Sequence, residues 1–307
     1  MFAAALCSVA ASAQVSSLDG AAAPPYGAAE GIISDLSAAE MTGSQFLDWS
    51  ETLGEFSDIA SLTEKELQEK IDAAKPAASD AGTVVSGGQT LRLPSAIDEN
   101  GVDLYMLTRE GITVYMAILS PAFYQETTDD IVRWVRYWAY DNRERTRRIF
   151  ERYALWEDYI GNTFAAEGVP RELGTLCIIE SACTYKALSK AGALGMWQLM
   201  DFTARDHGMR VDAVKDERTD PAKSTRVAAK VLGENHRMMV RDHDTDDAWV
   251  LATAGYNCGM GRVLSQMRSG KAAWSSVKPL LPRETQQYIP SLIAVNYVWS
   301  YRKQLGF

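Results

Sequence analysis

Among the 40 acidic side chains of this 307-residue sequence, Glu180 stands where proton-transfer chemistry could be placed, at the end of an apolar helix face. It follows Leu176, Ile178 and Ile179 in a helix expected to begin near Pro170. A carboxyl group at the end of an apolar helix face is partly desolvated, which disfavours its charged form. A carboxylic acid kept protonated near neutral pH can give its proton to a departing glycosidic oxygen. The same stretch also fits an ordinary solvated glutamate at a helix end, so its neighbours must decide. His207, His236 and His243 are scattered without zinc-ligand spacing, and no metal is expected.

Ordered blocks follow Glu180-Ser181. Ala187-Leu188-Ser189 precedes Gly192-Ala193-Leu194-Gly195-Met196-Trp197-Gln198-Leu199-Met200. Ala254-Gly255-Tyr256-Asn257-Cys258-Gly259-Met260-Gly261-Arg262-Val263 comes next, then Leu281-Pro282-Arg283-Glu284-Thr285-Gln286-Gln287-Tyr288-Ile289-Pro290. A single Glu-Ser pair says nothing, but these blocks in this order resemble the soluble lytic transglycosylase family. Within it they are most similar to the membrane-bound murein transglycosylase D group. The resemblance covers about residues 168–300, and the helices from about residue 128 look like that group's lead-in.

The resemblance implies a mainly α protein with a lysozyme-like helical catalytic domain acting on peptidoglycan glycan strands. It implies Glu180 as the sole acid/base. Ser189, Gln198 and Met200 would line the sugar subsites, and Gly195 would let the backbone pass close to the saccharide. Tyr256 would orient the glycan or the carboxylate, with Asn257 shaping the same wall. Glu284 would bind polar groups of the substrate, and Tyr288 would close the cleft. Without the resemblance all of these would read as structural, as Ser181 and Trp197 still can. In that family the C6 hydroxyl of MurNAc attacks within its own molecule. Its high effective concentration removes the need for the second carboxylate of ordinary glycosidases. The implied product is a 1,6-anhydro-MurNAc end, formed with neither cofactor nor metal.

Two other functions fit the same fold. A goose-type lysozyme would hydrolyse the bond and would need a water-activating aspartate, for which Asp201 and Asp206 are near in sequence. A non-catalytic wall-binding protein would need no acid, and the intact Glu180, Gln198, Tyr256 and Asn257 argue against it. The chain departs from the family pattern at Tyr185 and Cys177, where Pro is common, and at Gly255, where Ala is usual. Gly255 should cost its helix roughly 1 kcal/mol. The LysM wall-binding repeats often attached to this group are not in the sequence.

A helical frame must position these residues. Thr63 and Glu66 read as a capping box for a helix carrying Leu67 and Ile71 that stops before Pro76. Val102–Met106 and Ile112–Met116 are β-prone and suggest a small hairpin. From about residue 128 the periodicity is helical. Ile131, Val135 and Trp138 share a face, as do Ile149, Tyr153, Trp156, Ile160 and Phe164. Arg143, Arg145, Arg147 and Arg148 suggest a solvated helix face rather than a glycan contact. Further helices are expected after Asp220-Pro221, over Ala248–Tyr256 and after Pro282.

The expected domains are a signal peptide at 1–13, a linker-rich acidic region with short helices at 14–100, a mostly helical lead-in at 101–167 and the catalytic domain at 168–307. The start is a short apolar run ending Ala11-Ser12-Ala13, the small-x-small pattern of secretory cleavage, although no basic residue precedes it. Export to the periplasm or cell envelope follows. Residues 14 to about 43 read as a leader, and Phe46, Trp49, Leu53 and Phe56 as a short amphipathic helix. No stretch approaches 18 uninterrupted apolar residues.

Net charge is -9, unevenly spread. Residues 1–100 carry 15 acidic and 4 basic side chains, residues 101–307 carry 25 and 27. The acidic third repels polyanions, so no nucleic acid is expected as its partner. Residues 14–100 are open to a cell-wall or envelope protein partner. Cys177 and Cys183 would lie roughly 9 Å apart along a continuous helix, too far to bridge. That leaves Cys183–Cys258 as the pair for a disulfide, or three buried thiols acting as small hydrophobes.

Overall fold

The computed structural model of the protein describes residues 62–74, 83–86, 89–92, 95–117, 119, 126–243, 245–267 and 273–307. The expected signal peptide, the leader and the helix through Phe46 and Phe56 lie outside the described residues. The described chain is mainly helical.

Helix α1 (Glu64–Ala73) opens on the expected capping box: the Thr63 hydroxyl accepts the Glu66 amide at 3.2 Å, and the Glu66 carboxylate accepts the Thr63 amide at 2.9 Å. Within the expected linker, β1 (Thr83–Ser86) pairs antiparallel with β2 (Gln89–Arg92). The hairpin expected over residues 102–116 is not formed. A 3-10 turn (Leu104–Leu107) and α2 (Arg109–Met116) replace it. Asp103 accepts the Tyr105 amide and Thr108 accepts the Gly111 amide, so two caps within six residues outweigh the β-propensity of Val, Ile and Tyr. Ile112, Tyr115 and Met116 then bury one helical face. A side chain at position 111 would meet the Tyr105 carbonyl at 2.1 Å, so the helix can start there only with glycine.

Helix α3 (Asp129–Arg136) runs through a π-turn (Tyr137–Asp141) towards α4 (Arg143–Ala154), and α5 (Glu157–Ala166) follows. The two expected apolar faces are buried, although the second is shared between α4 and α5. After the site segments come α8 (Pro221–Asp242), α9 (Ala248–Cys258), α10 (Met260–Gln266), α11 (Trp274–Val277) and α12 (Arg283–Ser300). Asp220 caps α8 by accepting the Lys223 amide at 2.9 Å, with Pro221 in the first turn as its sequence suggests.

One core joins the early helices to the last. Trp134 of α3 donates to Gln287 at 3.0 Å and Trp138 of the π-turn to Ser291 at 3.3 Å, both acceptors on α12. Tyr297 and Tyr301 donate to the Met106 and Tyr115 carbonyls at 2.9 and 2.8 Å. The arginine stretch is not a plain solvated face. Arg143 donates to the Leu305 and Gly306 carbonyls and lies 4.5 Å over the Phe307 ring.

Buried Arg136 fastens the entry segment to this core. It donates to the Leu107 carbonyl at 3.0 Å, the Leu62 carbonyl at 2.8 Å and the Glu64 carboxylate at 2.7 Å. Arg136→Met keeps the aliphatic stem but orphans those acceptors. It should lower unfolding free energy by about 3 kcal/mol in urea titration. Lys65→Ala, which removes only an exposed pair with Glu69, should cost less than about 0.5 kcal/mol.

Candidate active site

The chain leaves Pro170 through a 3-10 turn (Arg171–Thr175) into α6 (Leu176–Ser181). Leu176, Cys177, Ile178 and Ile179 are fully buried, and Glu180 is the next residue. Ala182 and Cys183 end the helix in the left-handed region, at φ 53° and 58°. The Cys183 amide reaches back to the Cys177 carbonyl at 3.0 Å, and Arg152 from α4 holds the Ala182 carbonyl at 2.8 Å. Ser181 is core, as its type allows. Its hydroxyl donates to the Met196 carbonyl at 2.8 Å and accepts the Thr184 amide at 3.0 Å. Glu180 therefore sits on a fixed helix end, half-buried.

Burial raises the Glu180 carboxyl to about 8. Tyr288 of α12, itself fully buried, donates its phenol to Glu180 Oε1 and pulls the other way, while the nearby Glu284 charge pushes up again. Tyr256 of α9 stands beside the acid. Its phenol donates to the Trp197 carbonyl at 2.8 Å and is held far above its usual range, first by burial and then by Glu180. Asn257 joins α9 to α12, donating to Glu284 at 3.1 Å and accepting from Thr285 at 2.7 Å. An alanine at position 255 would bring its Cβ to 2.0 Å from Met260 Sδ, so the Met260 side chain would have to move.

The segment 187–200 forms the neighbouring wall. Trp197 is its core anchor, with its indole donating to Thr225 of α8 at 2.9 Å. Gln198, at φ 48°, donates its amide nitrogen to the Ala187 and Gly195 carbonyls at 3.0 and 2.9 Å. Two carbonyl partners fix which end of the amide faces them. Ser189 closes its own turn by accepting the Ala193 amide at 2.9 Å. Met200 is half-buried at the head of α7 (Asp201–Asp206).

No motif points to the clamp behind this wall. Arg218 is buried, paired with Asp216 at 2.6 Å, and donates one nitrogen to the Gly192 and Leu199 carbonyls, both at 2.9 Å. In sequence, Asp216-Glu217-Arg218 looks like ordinary polar surface. The clamp also gives Gly195 a structural reason of its own. Its close backbone approach is to the Arg218 carbonyl, which an added Cβ would meet at 2.1 Å, and its φ is 89°. Among the described residues, no group of three or more His, Cys, Asp or Glu could hold a metal ion.

Gly195→Ala combines a left-handed backbone with that collision. It should cost on the order of 3 kcal/mol by chemical denaturation. The acid itself links stability to pH. Its folded value, about 8, lies above the ordinary 4.5, so between those values the native state holds the extra proton. Its contribution to stability then falls as pH rises and levels off above the folded value. Glu180→Gln removes this titration. Its thermal midpoint should exceed the wild type's near about pH 9, with the gap closing towards about pH 4.

The family model described as Transglycosylase SLT domain matches residues 160–276. The chain is 33% identical over 159 residues to membrane-bound lytic murein transglycosylase D of Escherichia coli (strain K12), covering 51% of this chain and 33% of that protein. It is 32% identical over 124 residues to membrane-bound lytic murein transglycosylase F of Alteromonas mediterranea, covering 38% of this chain and 25% of that protein. The chain thus spans a third or less of the length of these two curated relatives. An inactive mutant of the lytic transglycosylase Slt from Pseudomonas aeruginosa aligns at TM-score 0.41 and 21% identity, over 58% of this chain and 31% of that one, too loosely to transfer geometry. Residues 160–276 thus resemble the transglycosylase SLT domain, and the chain is similar over about half its length to a lytic murein transglycosylase.

Proposed function

We propose that the protein cleaves the β-1,4 bond between MurNAc and GlcNAc in peptidoglycan without net hydrolysis. The observation that carries this is one half-buried carboxyl, raised to about 8 and held by a buried phenol. Glu180, protonated at neutral pH, gives its proton to the linking oxygen. The MurNAc 2-acetamido oxygen stabilises the cation-like centre. The Tyr288 phenol supports the carboxylate that now exists, and burial draws the proton back. Glu180 takes it from the C6 hydroxyl, whose oxygen closes on C1 to give the 1,6-anhydro end.

Gln198, Met200 and Ser189 from segment 187–200, with Tyr256, Asn257 and Glu284, are assigned to substrate. Asp201 is paired with Arg205 at 3.3 Å, and Glu284 is exposed and bonded to Asn257, which favours intramolecular attack over a water activated by a second carboxylate. The relatives' names, membrane-bound and murein, support an envelope location, with residues 1–13 as export signal and 14–100 as the surface for an envelope partner. Among the described residues no helix is long and apolar enough to cross a membrane. We assign 101–167 as the lead-in that backs the catalytic part, 168–307.

On purified sacculi, Glu180→Gln should lower the rate of turbidity loss by at least about a thousandfold while sacculus pelleting still retains the protein. Digestion at wild-type rate would remove Glu180 from the mechanism. Mass spectrometry should find muropeptides ending in anhydro-MurNAc, one water lighter than reducing ends. Reducing ends instead would make the enzyme a hydrolase. Activity should fall as pH rises through about 8, where the acid loses its proton. Tyr288→Phe removes the donor that favours the carboxylate, so the alkaline limb should move to higher pH.

A further inference from the structure

Two thiols flank the turn that ends the Glu180 helix. Cys177 lies in the first turn of α6 and Cys183 just beyond its end, with their Sγ atoms 3.0 Å apart. The helical separation expected from their spacing does not apply, because α6 stops between them. The consecutive left-handed residues Ala182 and Cys183 fold the chain back, aligning the Cys183 amide with the Cys177 carbonyl as well as sulfur with sulfur. Left-handed backbone is unfavourable for residues other than glycine, so this turn needs support from its contacts. Both cysteines are buried and both are thiols in this structure. A disulfide requires the sulfurs to close to about 2.0 Å, a small side-chain rotation from where they stand.

We propose that Cys177 and Cys183 form a disulfide under oxidising conditions and that it locks the turn carrying the acid. The two thiols give up two electrons and two protons to an external disulfide, glutathione disulfide or a dithiol oxidase, which is reduced to two thiols. Cys183 retains 4% exposure against none for Cys177, so it is the first to attack. Its thiolate displaces one oxidant thiol and forms a mixed disulfide. Cys177 then attacks the Cys183 sulfur and expels the second thiol. Cys258, the remaining described cysteine, is half-buried at the end of α9 and bonds to Thr285 rather than to a thiol. The disulfide takes the place of the two readings the sequence left open, a Cys183–Cys258 pair or three buried thiols. It concerns the scaffold and stands whether or not Glu180 cleaves glycan.

The full chain refolded in excess glutathione disulfide, alkylated without reduction and cut with trypsin, tests this. Both cysteines fall in one peptide, Glu172–Lys186. That peptide should be unalkylated and two hydrogens lighter than its reduced form, while Cys258 is alkylated. The thermal midpoint of the oxidised protein should exceed that of the reduced protein by about 5 °C. Cys177→Ala and Cys183→Ala should each abolish this difference and Cys258→Ala should keep it. If the first two variants do not fold, the wild-type peptide decides. Alkylation at both cysteines of that peptide, or its recovery linked to Cys258 or to glutathione, would overturn the disulfide. Equal midpoints would overturn the lock.

Discussion

A carboxyl group among apolar side chains must keep its proton or find a donor. At Glu180 both happen, and they oppose one another. Burial by the α6 core favours the neutral acid, while the Tyr288 phenol favours the ion. A group held between these limits can both give and regain a proton, which one carboxyl must do if it is to serve twice in a reaction. The arrangement needs α6 and α12 in fixed relation, because the partners are 108 residues apart in sequence. Much of the rest of the fold provides that relation.

The lead-in helices act on the acid through α12. Trp134 and Trp138 bond to Gln287 and Ser291, which flank Tyr288 along that helix. Arg152 from α4 holds the turn just past Glu180. The SLT match ends at residue 276, so Glu284 and Tyr288 lie beyond it, yet the phenol that tunes the acid is one of them. The second wall is built differently. Segment 187–200 has little regular structure, and its shape comes from carbonyls gathered by Arg218, Gln198 and Ser181. Positions such as Gln198 and Met200 are thus fixed from behind by buried polar groups.

Much of this was legible in the sequence where local chemistry decides. The Thr63–Glu66 box, the Asp220-Pro221 start and the buried faces through Trp138 and Phe164 follow from capping and periodicity, which act within a few residues. At residues 102–116 β-propensity points to a hairpin, and the caps at Asp103 and Thr108 override it. The contact of Gly195 with the Arg218 carbonyl is not legible, because the two are 23 residues apart. The arginine stretch looked solvated because the Leu305 and Gly306 carbonyls that engage Arg143 are more than 160 residues distant.

By itself, the sequence determined a mainly helical chain and the ordered blocks that resemble lytic transglycosylases, with Glu180 at the head of the first. Those depend on residue type and short-range spacing. Only the tertiary structure decided that Tyr288 meets Glu180, that Arg218 gathers the wall opposite, and that Cys177 and Cys183 come together. Each depends on where the chain turns back and which distant groups then share a buried space, and no local propensity encodes that.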